Sequence, residues 1–290
     1  MSTVTNQQLI KIKDERMNID HIDQCRLSFF IGDRDCQITV FDEQKQKLLL
    51  FENYLIESSP IDFLNKIHDQ HELVPAGFWP TIHIYIRNNQ FCLVPSFLFD
   101  EDAAYNYIRL NTDSNPELDN YAIHQHKSLA ATYVFGYPSV IQDWFFSKYK
   151  RARIHVFHEG STFLNSIENQ LLKIKKPVLY LNCNSDTLML AGFSGQKLMI
   201  YNQFKITDIK QLPKLILMCI QQFSQEGQDT PIILWGVQDR IKSLEPLLKK
   251  YFKNLSLGKR STQFKTSHQF DEIELYEHVE IFGSLSTTNS

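Results

Sequence analysis

Gln46-Lys47-Leu48-Leu49-Leu50-Phe51 recurs as Gln196-Lys197-Leu198-Met199-Ile200-Tyr201, with Lys197 standing 150 positions after Lys47 in a chain of 290 residues. Each copy closes a series of three short apolar runs. In the first half these are 26–31, 36–41 and 47–55, separated by Gly32-Asp33-Arg34-Asp35 and Asp42-Glu43-Gln44. Aromatic and β-branched residues bounded by Gly, Asp and Gln read as strands and turns. In the second half they are 177–182, 187–191 and 197–202, broken at Asn184-Ser185-Asp186 and Ser194-Gly195. A three-strand meander written twice predicts two domains of one fold facing across a cleft.

Beyond each meander, helices and strands alternate. Ser59 is placed to cap a helix over 60–73, with Pro60 in its first turn and Ile61, Leu64 and Ile67 at helical spacing. Residues 81–86 and 90–95 read as a strand pair around Asn88-Asn89, 103–110 as a short helix with an acidic start, and 111–120 as a loop. Further strands fall at 122–126, 132–135 and 153–157, and helices at 139–148 and 161–173. The second half offers an apolar helix over 209–223, the fully apolar strand 231–235, a helix over 238–252, and a final strand or two over 272–282. Antiparallel hairpins followed by strand–helix crossovers, twice, give an α/β class with one mixed five-stranded sheet per half. The expected division is an N-terminal segment 1–22, a first lobe 23–160 and a second lobe 161–290.

Composition narrows the function classes. Apolar residues make up 43% and charged residues 22%, with a net charge of −3. Such a chain can build real cores but has no field to recruit nucleic acid or acidic lipid by itself. No apolar run is long enough to span a membrane, and residues 1–14 are polar, so a cytoplasmic protein is expected. Cys25, Cys36, Cys92, Cys183 and Cys219 show no C-x-x-C spacing and read as buried reduced thiols.

Three segments carry a resemblance: Leu93-Val94-Pro95-Ser96-Phe97-Leu98-Phe99-Asp100, Lys197-Leu198-Met199-Ile200-Tyr201-Asn202-Gln203-Phe204, and the strand–Gly–helix at Ile232-Ile233-Leu234-Trp235-Gly236. With the doubled meander, they resemble a bacterial domain-of-unknown-function family with the actin-like ATPase fold of actin, sugar kinases and heat-shock chaperones. That resemblance implies two ribonuclease-H-like lobes. In active members of the superfamily, two Asp-x-Gly loops hold a nucleotide between the lobes. The Asp organises magnesium or water, and the Gly admits backbone amides to phosphate.

Neither loop here contains Asp-x-Gly. Anchoring the second strand at 38–40 puts Gly32 at the glycine position and Phe30 at the carboxylate position, where an aromatic cannot ligate magnesium. The same anchoring puts Leu181 and Cys183 in the second loop, so apolar side chains are expected where carboxylates would stand. At the adenosine position, Leu234-Trp235-Gly236-Val237-Gln238 keeps one glycine, which reads first as a strand-to-helix turn. The expectation is a noncatalytic pseudo-ATPase, a binding or scaffold protein with a protein partner, no cofactor, no nucleic acid and no membrane insertion. Degenerate actin-like domains also resemble platform proteins of bacterial pilus and secretion assemblies. The alternative is an ATPase or small-molecule kinase using ATP and magnesium, with Asp33, Asp35 or Asp186 as carboxylates and Gly32 and Gly236 as backbone contacts. A sensor that binds near Gly236 without turnover is a third option. The candidate cofactor-binding residues, only if nucleotide binds, are therefore Gly32, Asp33, Asp186 and Gly236; no catalytic or metal-ligating residue is assigned.

Other constellations weigh less. His68/His71, His124/His126 and His155/His158 are two-ligand pairs without a third ligand at metal spacing. Lys148, Lys150, Arg151 and Arg153, with Lys173, Lys175 and Lys176 not far beyond, form a short basic run that reads as a solvated helix end, with a phosphate or acidic-partner patch as the alternative. A metal nuclease would need a carboxylate on the first strand, and 27–31 has none. Ser139 and Ser194 lack a Gly-x-Ser-x-Gly elbow.

Overall fold

The computed structural model describes residues 7–110, 112, 115, 117, 119–171, 175–184 and 186–286. Much of the expected 111–120 loop, the end of the 161–173 helix with Lys173, Ser185 and the tail after 286 lie outside them.

The first meander is β2 (Cys25–Ile31), β3 (Asp35–Asp42) and β4 (Lys47–Leu55), following an edge strand β1 (Gln7–Lys13). After helix α1 (Pro60–Gln70) come β5 (Thr81–Ile86), β6 (Phe91–Pro95), α2 (Ala104–Arg109), β7 (Asp119–His126), β8 (Ala131–Pro138), α3 (Ser139–Lys148), β9 (Arg153–His158) and α4 (Glu159–Leu171). The second half runs β10 (Pro177–Cys183), β11 (Thr187–Ser194), β12 (Lys197–Lys205), α5 (Leu212–Ile220), β13 (Ile232–Gly236), α6 (Gln238–Leu248), β14 (Leu255–Leu257) and α7 (Val279–Leu285). The first sheet has the order β1-β4-β3-β2-β5-β9 and the second β12-β11-β10-β13-β14. Without β1 the two orders are the same: an antiparallel meander whose first strand pairs in parallel with the fourth. Lys47 and Lys197 open the third strand of each sheet.

Four details depart from the sequence expectations. The polar segment 7–13 is a strand, so the first sheet has six strands rather than five. Pairing with β4 satisfies the backbone groups on its inner side, and Lys11 reaches the buried Glu52 at 3.0 Å. Residues 81–86 and 91–95 do not pair with each other: β5 joins the first sheet, while β6, β8 and β7 form a separate three-stranded sheet. The span 272–282 is not strand, since it runs from a 3-10 turn at His268–Glu272 into α7. Cys92 is only partly buried; all five cysteines are free.

Each sheet is packed by the helix that follows the other sheet in the chain. The helix after the first sheet, α4, lies on the second, with Phe163 edge-on to Trp235 at 6.2 Å. The segment after the second sheet returns to the first: Phe270, Ile273, Ile281, Phe282 and Leu285 pack with Phe41, Leu48 and Phe51. The two helices, α4 and α7, pack against each other. Each fully buried Leu or Phe contributes roughly 1.5–3 kcal/mol, so this crossing fastens the halves more firmly than surface ion pairs would.

Candidate functional site

The two sheets bring the ends of β2 and β10 together, and the backbone fixes their equivalence. Gly32 N–H donates to Asp35 O at 3.0 Å, and Asn184 N–H donates to Thr187 O at 2.9 Å. These matching turns align Gly32 with Asn184 and Phe30 with Asn182. The sequence register for the second loop is thus one residue off. Leu181 points into the apolar core of the second sheet, and the position matching Phe30 is Asn182, which is buried and bonded to Glu280.

Between the turns lies a polar cavity of about 360 Å³ lined by Gly32, Asp33, Asp35, Arg87, Glu159 and Asp186, with Arg34 and Lys205 also on its wall. Three of the four candidate residues, Gly32, Asp33 and Asp186, therefore meet here. Gly236 does not line it. Its φ of 150° and its closeness to Cys183 leave no room for a side chain, since a Cβ would lie 2.2 Å from Cys183 O. Gly236 closes the β10–β13 pair and turns the chain toward α6.

The cleft wall is not the apolar plug that Phe30 suggested. Phe30 is buried beneath Arg87, whose guanidinium stands 5.4 Å over its ring. Arg87 follows β5 directly and donates Nη1 to Asp35 Oδ2 at 2.6 Å and Nε to Glu159 Oε1 at 2.8 Å. Its Nη2 donates to Gln37 Oε1 and lies 3.4 Å from Glu280 Oε1. From the second lobe, Asn182 Nδ2 donates to Glu280 Oε2 at 3.2 Å and Asn184 Nδ2 to Glu159 Oε1 at 3.1 Å. One arginine and three carboxylates thus knit β3, β5, α4, α7 and the end of β10.

Electrostatics follow from this crowding. Burial pushes the Glu159 carboxyl up to about 8; Glu280 and Asp35 add to the rise and Arg87 opposes it. Burial also works against ionised Glu280, yet the His278 hydrogen bond and Arg87 hold its carboxyl below the usual range. Next to Glu159, burial drives His158 down to about 3. Its Nδ1 accepts from Gly160 N–H at 3.0 Å, which leaves Nε2–H to donate to Asn88 O at 3.1 Å. That imidazole is a neutral structural link.

Arg87, Glu159 and Glu280 were not legible as a group, because topology alone joins three distant segments. A second group escaped for the same reason: His126 Nε2 lies 2.8 Å from Ser161 Oγ and its Nδ1 3.2 Å from Glu168 Oε1. Ser161 is only 1% exposed, so this trio ties β7 to α4 and does not present a nucleophile. Among the described residues no group of three His, Cys, Asp or Glu could hold a metal ion, and no helix is long and apolar enough to cross a membrane.

The profile of a family described as "Protein of unknown function (DUF3822)" matches residues 14–255. The chain belongs to that family. No curated protein sequence matches it. Among solved structures, a Bacteroides thetaiotaomicron VPI-5482 protein with actin-like ATPase fold and unknown function superposes with a TM-score of 0.79 at 15% identity, covering 94% of this chain and 99% of that one. A "PilM-PilN type IV pilus biogenesis complex" chain gives 0.63 at 11% identity, covering 90% of this chain and 97% of that one. The family member described here has the actin-like ATPase fold.

Proposed function

We propose that this chain is a noncatalytic actin-like protein, a pseudo-ATPase that works in the cytoplasm as a binding or scaffold protein for a protein partner. One observation carries the reading. The Arg87 guanidinium occupies the point where the two loops converge and is already saturated by Asp35, Gln37, Glu159 and Glu280. A triphosphate entering there would have to strip Arg87 from its partners and expose its own charge to the released carboxylates. Breaking a buried ion pair in this way costs about 3–5 kcal/mol. Phe30 and Asn182, at the positions of the missing aspartates, offer no carboxylate to magnesium in exchange.

The protein-partner half of the proposal rests on fold likeness to a chain solved in a pilus biogenesis complex. It also rests on exposed Phe97, Leu98 and Leu110 beside the small sheet, 84%, 61% and 81% exposed. Calorimetric titration with ATP and magnesium tests the central point. No saturable heat at about millimolar ATP and no phosphate release are expected. Micromolar ATP binding, or phosphate release lost in Asp33→Asn or Asp186→Asn, would overturn it and favour the ATPase or kinase reading.

A further inference from the structure

A second cavity, of about 630 Å³, opens at the other end of the second sheet, where β10 and β13 begin and α4 passes over them. Its volume suits a small molecule. Tyr180 on β10 lines it and Asn184, just past the end of β10, lines the interlobe cleft, so about 13 Å of chain separates the two.

The walls combine two chemistries. Val178, Ile233 and Tyr180 form an apolar floor. Lys175, Lys176, Lys259 and Arg260 stand around it, and among the described residues no Asp or Glu lines the cavity. Among the described residues none of these four cations lies within ion-pair distance of a carboxylate. Arg260 donates to the carbonyls of Phe270 and Ile273 at 3.4 Å and lies over the Phe282 ring at 4.9 Å, with Asp271 the nearest acidic influence. On a chain of net charge −3, this is a concentrated positive field at a concave surface.

Tyr180 supplies the independent observation. Tyr180 lines the cavity, its side chain is 0% exposed and its ring is stacked on Trp235 at 5.4 Å; among the described residues its buried hydroxyl has no hydrogen-bond partner. A buried hydroxyl left unpaired costs free energy. A phenylalanine would fill the same stacked position without that cost, so the hydroxyl points to a ligand atom.

We propose that this cavity binds a small organic anion: an apolar or aromatic body over Val178 and Ile233, polar where it meets the Tyr180 hydroxyl, with a phosphate or carboxylate held by the lysines. Calorimetry on the full chain, with phenyl phosphate, benzoate, inorganic phosphate and benzyl alcohol as probes, tests this. At least one of the two aromatic anions should bind saturably and about tenfold more tightly than either the neutral alcohol or inorganic phosphate. Which one binds better identifies the headgroup. Lys176→Glu combined with Lys259→Glu should weaken that binding about tenfold, and added salt should weaken it in the wild type. Tyr180→Phe should weaken binding while leaving the melting temperature unchanged or higher, whereas a purely structural hydroxyl would lower it. The proposal is overturned if no probe saturates, if the neutral alcohol or inorganic phosphate binds as well as the aromatic anions, or if the double charge reversal leaves affinity unaltered.

Discussion

β4 and β12 occupy the same place in their sheets, begin with the same Lys-Leu pair and meet opposite fates. In β4, Leu48, Leu49, Leu50 and Phe51 are all buried. In β12 the matching Leu198, Ile200 and Tyr201 are half-buried and Met199 is 44% exposed. Glu52 lies fully buried against Lys11, His71 and Tyr54, while its counterpart Asn202 faces solvent. The cause lies outside the repeated segment. β1 covers one side of β4 and the returning C-terminal segment covers its face, whereas β12 ends its sheet. A repeated sequence thus dictates the strand but not its burial, which depends on what the rest of the chain lays over it.

The heaviest blow to this arrangement is Arg87→Met. The counterpart of Arg87 after the fourth strand of the second sheet is Val237, so no second guanidinium mirrors this cluster. Removing the guanidinium strands Glu159, Glu280 and Asp35, and urea unfolding should show a loss of about 3–5 kcal/mol. Leu50→Ala, in the covered strand, should cost about 2–5 kcal/mol in the same measurement.

The pH profile of stability sharpens the contrast further. Glu159 has its folded value raised from 4.5 to about 8, so it favours the native state at low pH and loses that contribution as pH rises toward 8. Burial lowers His158 from 6.5 to about 3, and burial, with His126 adding, lowers His124 to about 4, so their contribution is present above 6.5 and lost as pH falls. Thermal melts should therefore peak near pH 6.5, and Glu159→Gln should flatten the alkaline side and steepen the rise between about 4.5 and 6.5. The smallest effect belongs to Met199→Ala, which should stay within about 0.5 kcal/mol of wild type. Equal losses for Leu50→Ala and Met199→Ala would break the comparison between the strands.

Most of the frame was legible because it is local. Aromatic and β-branched runs, the Ser59 cap that accepts from Asp62 N–H, and Pro60 in the first turn are decided within a few residues. The β5–β6 hairpin misled because Asn88-Asn89 looks like a turn, while Asn88 in fact reaches across to Gly136 O and the chain changes sheets there. Segment 7–13 was missed because its burial comes from pairing with β4, which its own polar composition does not announce. At the candidate site, Gly32, Asp33 and Asp186 could be named from loop position. Arg87 could not, since an isolated arginine after an apolar strand gives no sign of carboxylates 72 and 193 residues away.

The return of 264–285 to the first lobe also sets a timetable. Residues up to 55 leave the ribosome long before residue 285, and at about 5–20 residues per second the interval is roughly ten to fifty seconds. Throughout it Phe41, Leu48 and Phe51 lack the side chains that later cover them. The nascent N-terminal half therefore keeps an apolar face uncovered until translation is nearly finished, and a chain stalled before residue 264 has a sticky, unfinished face.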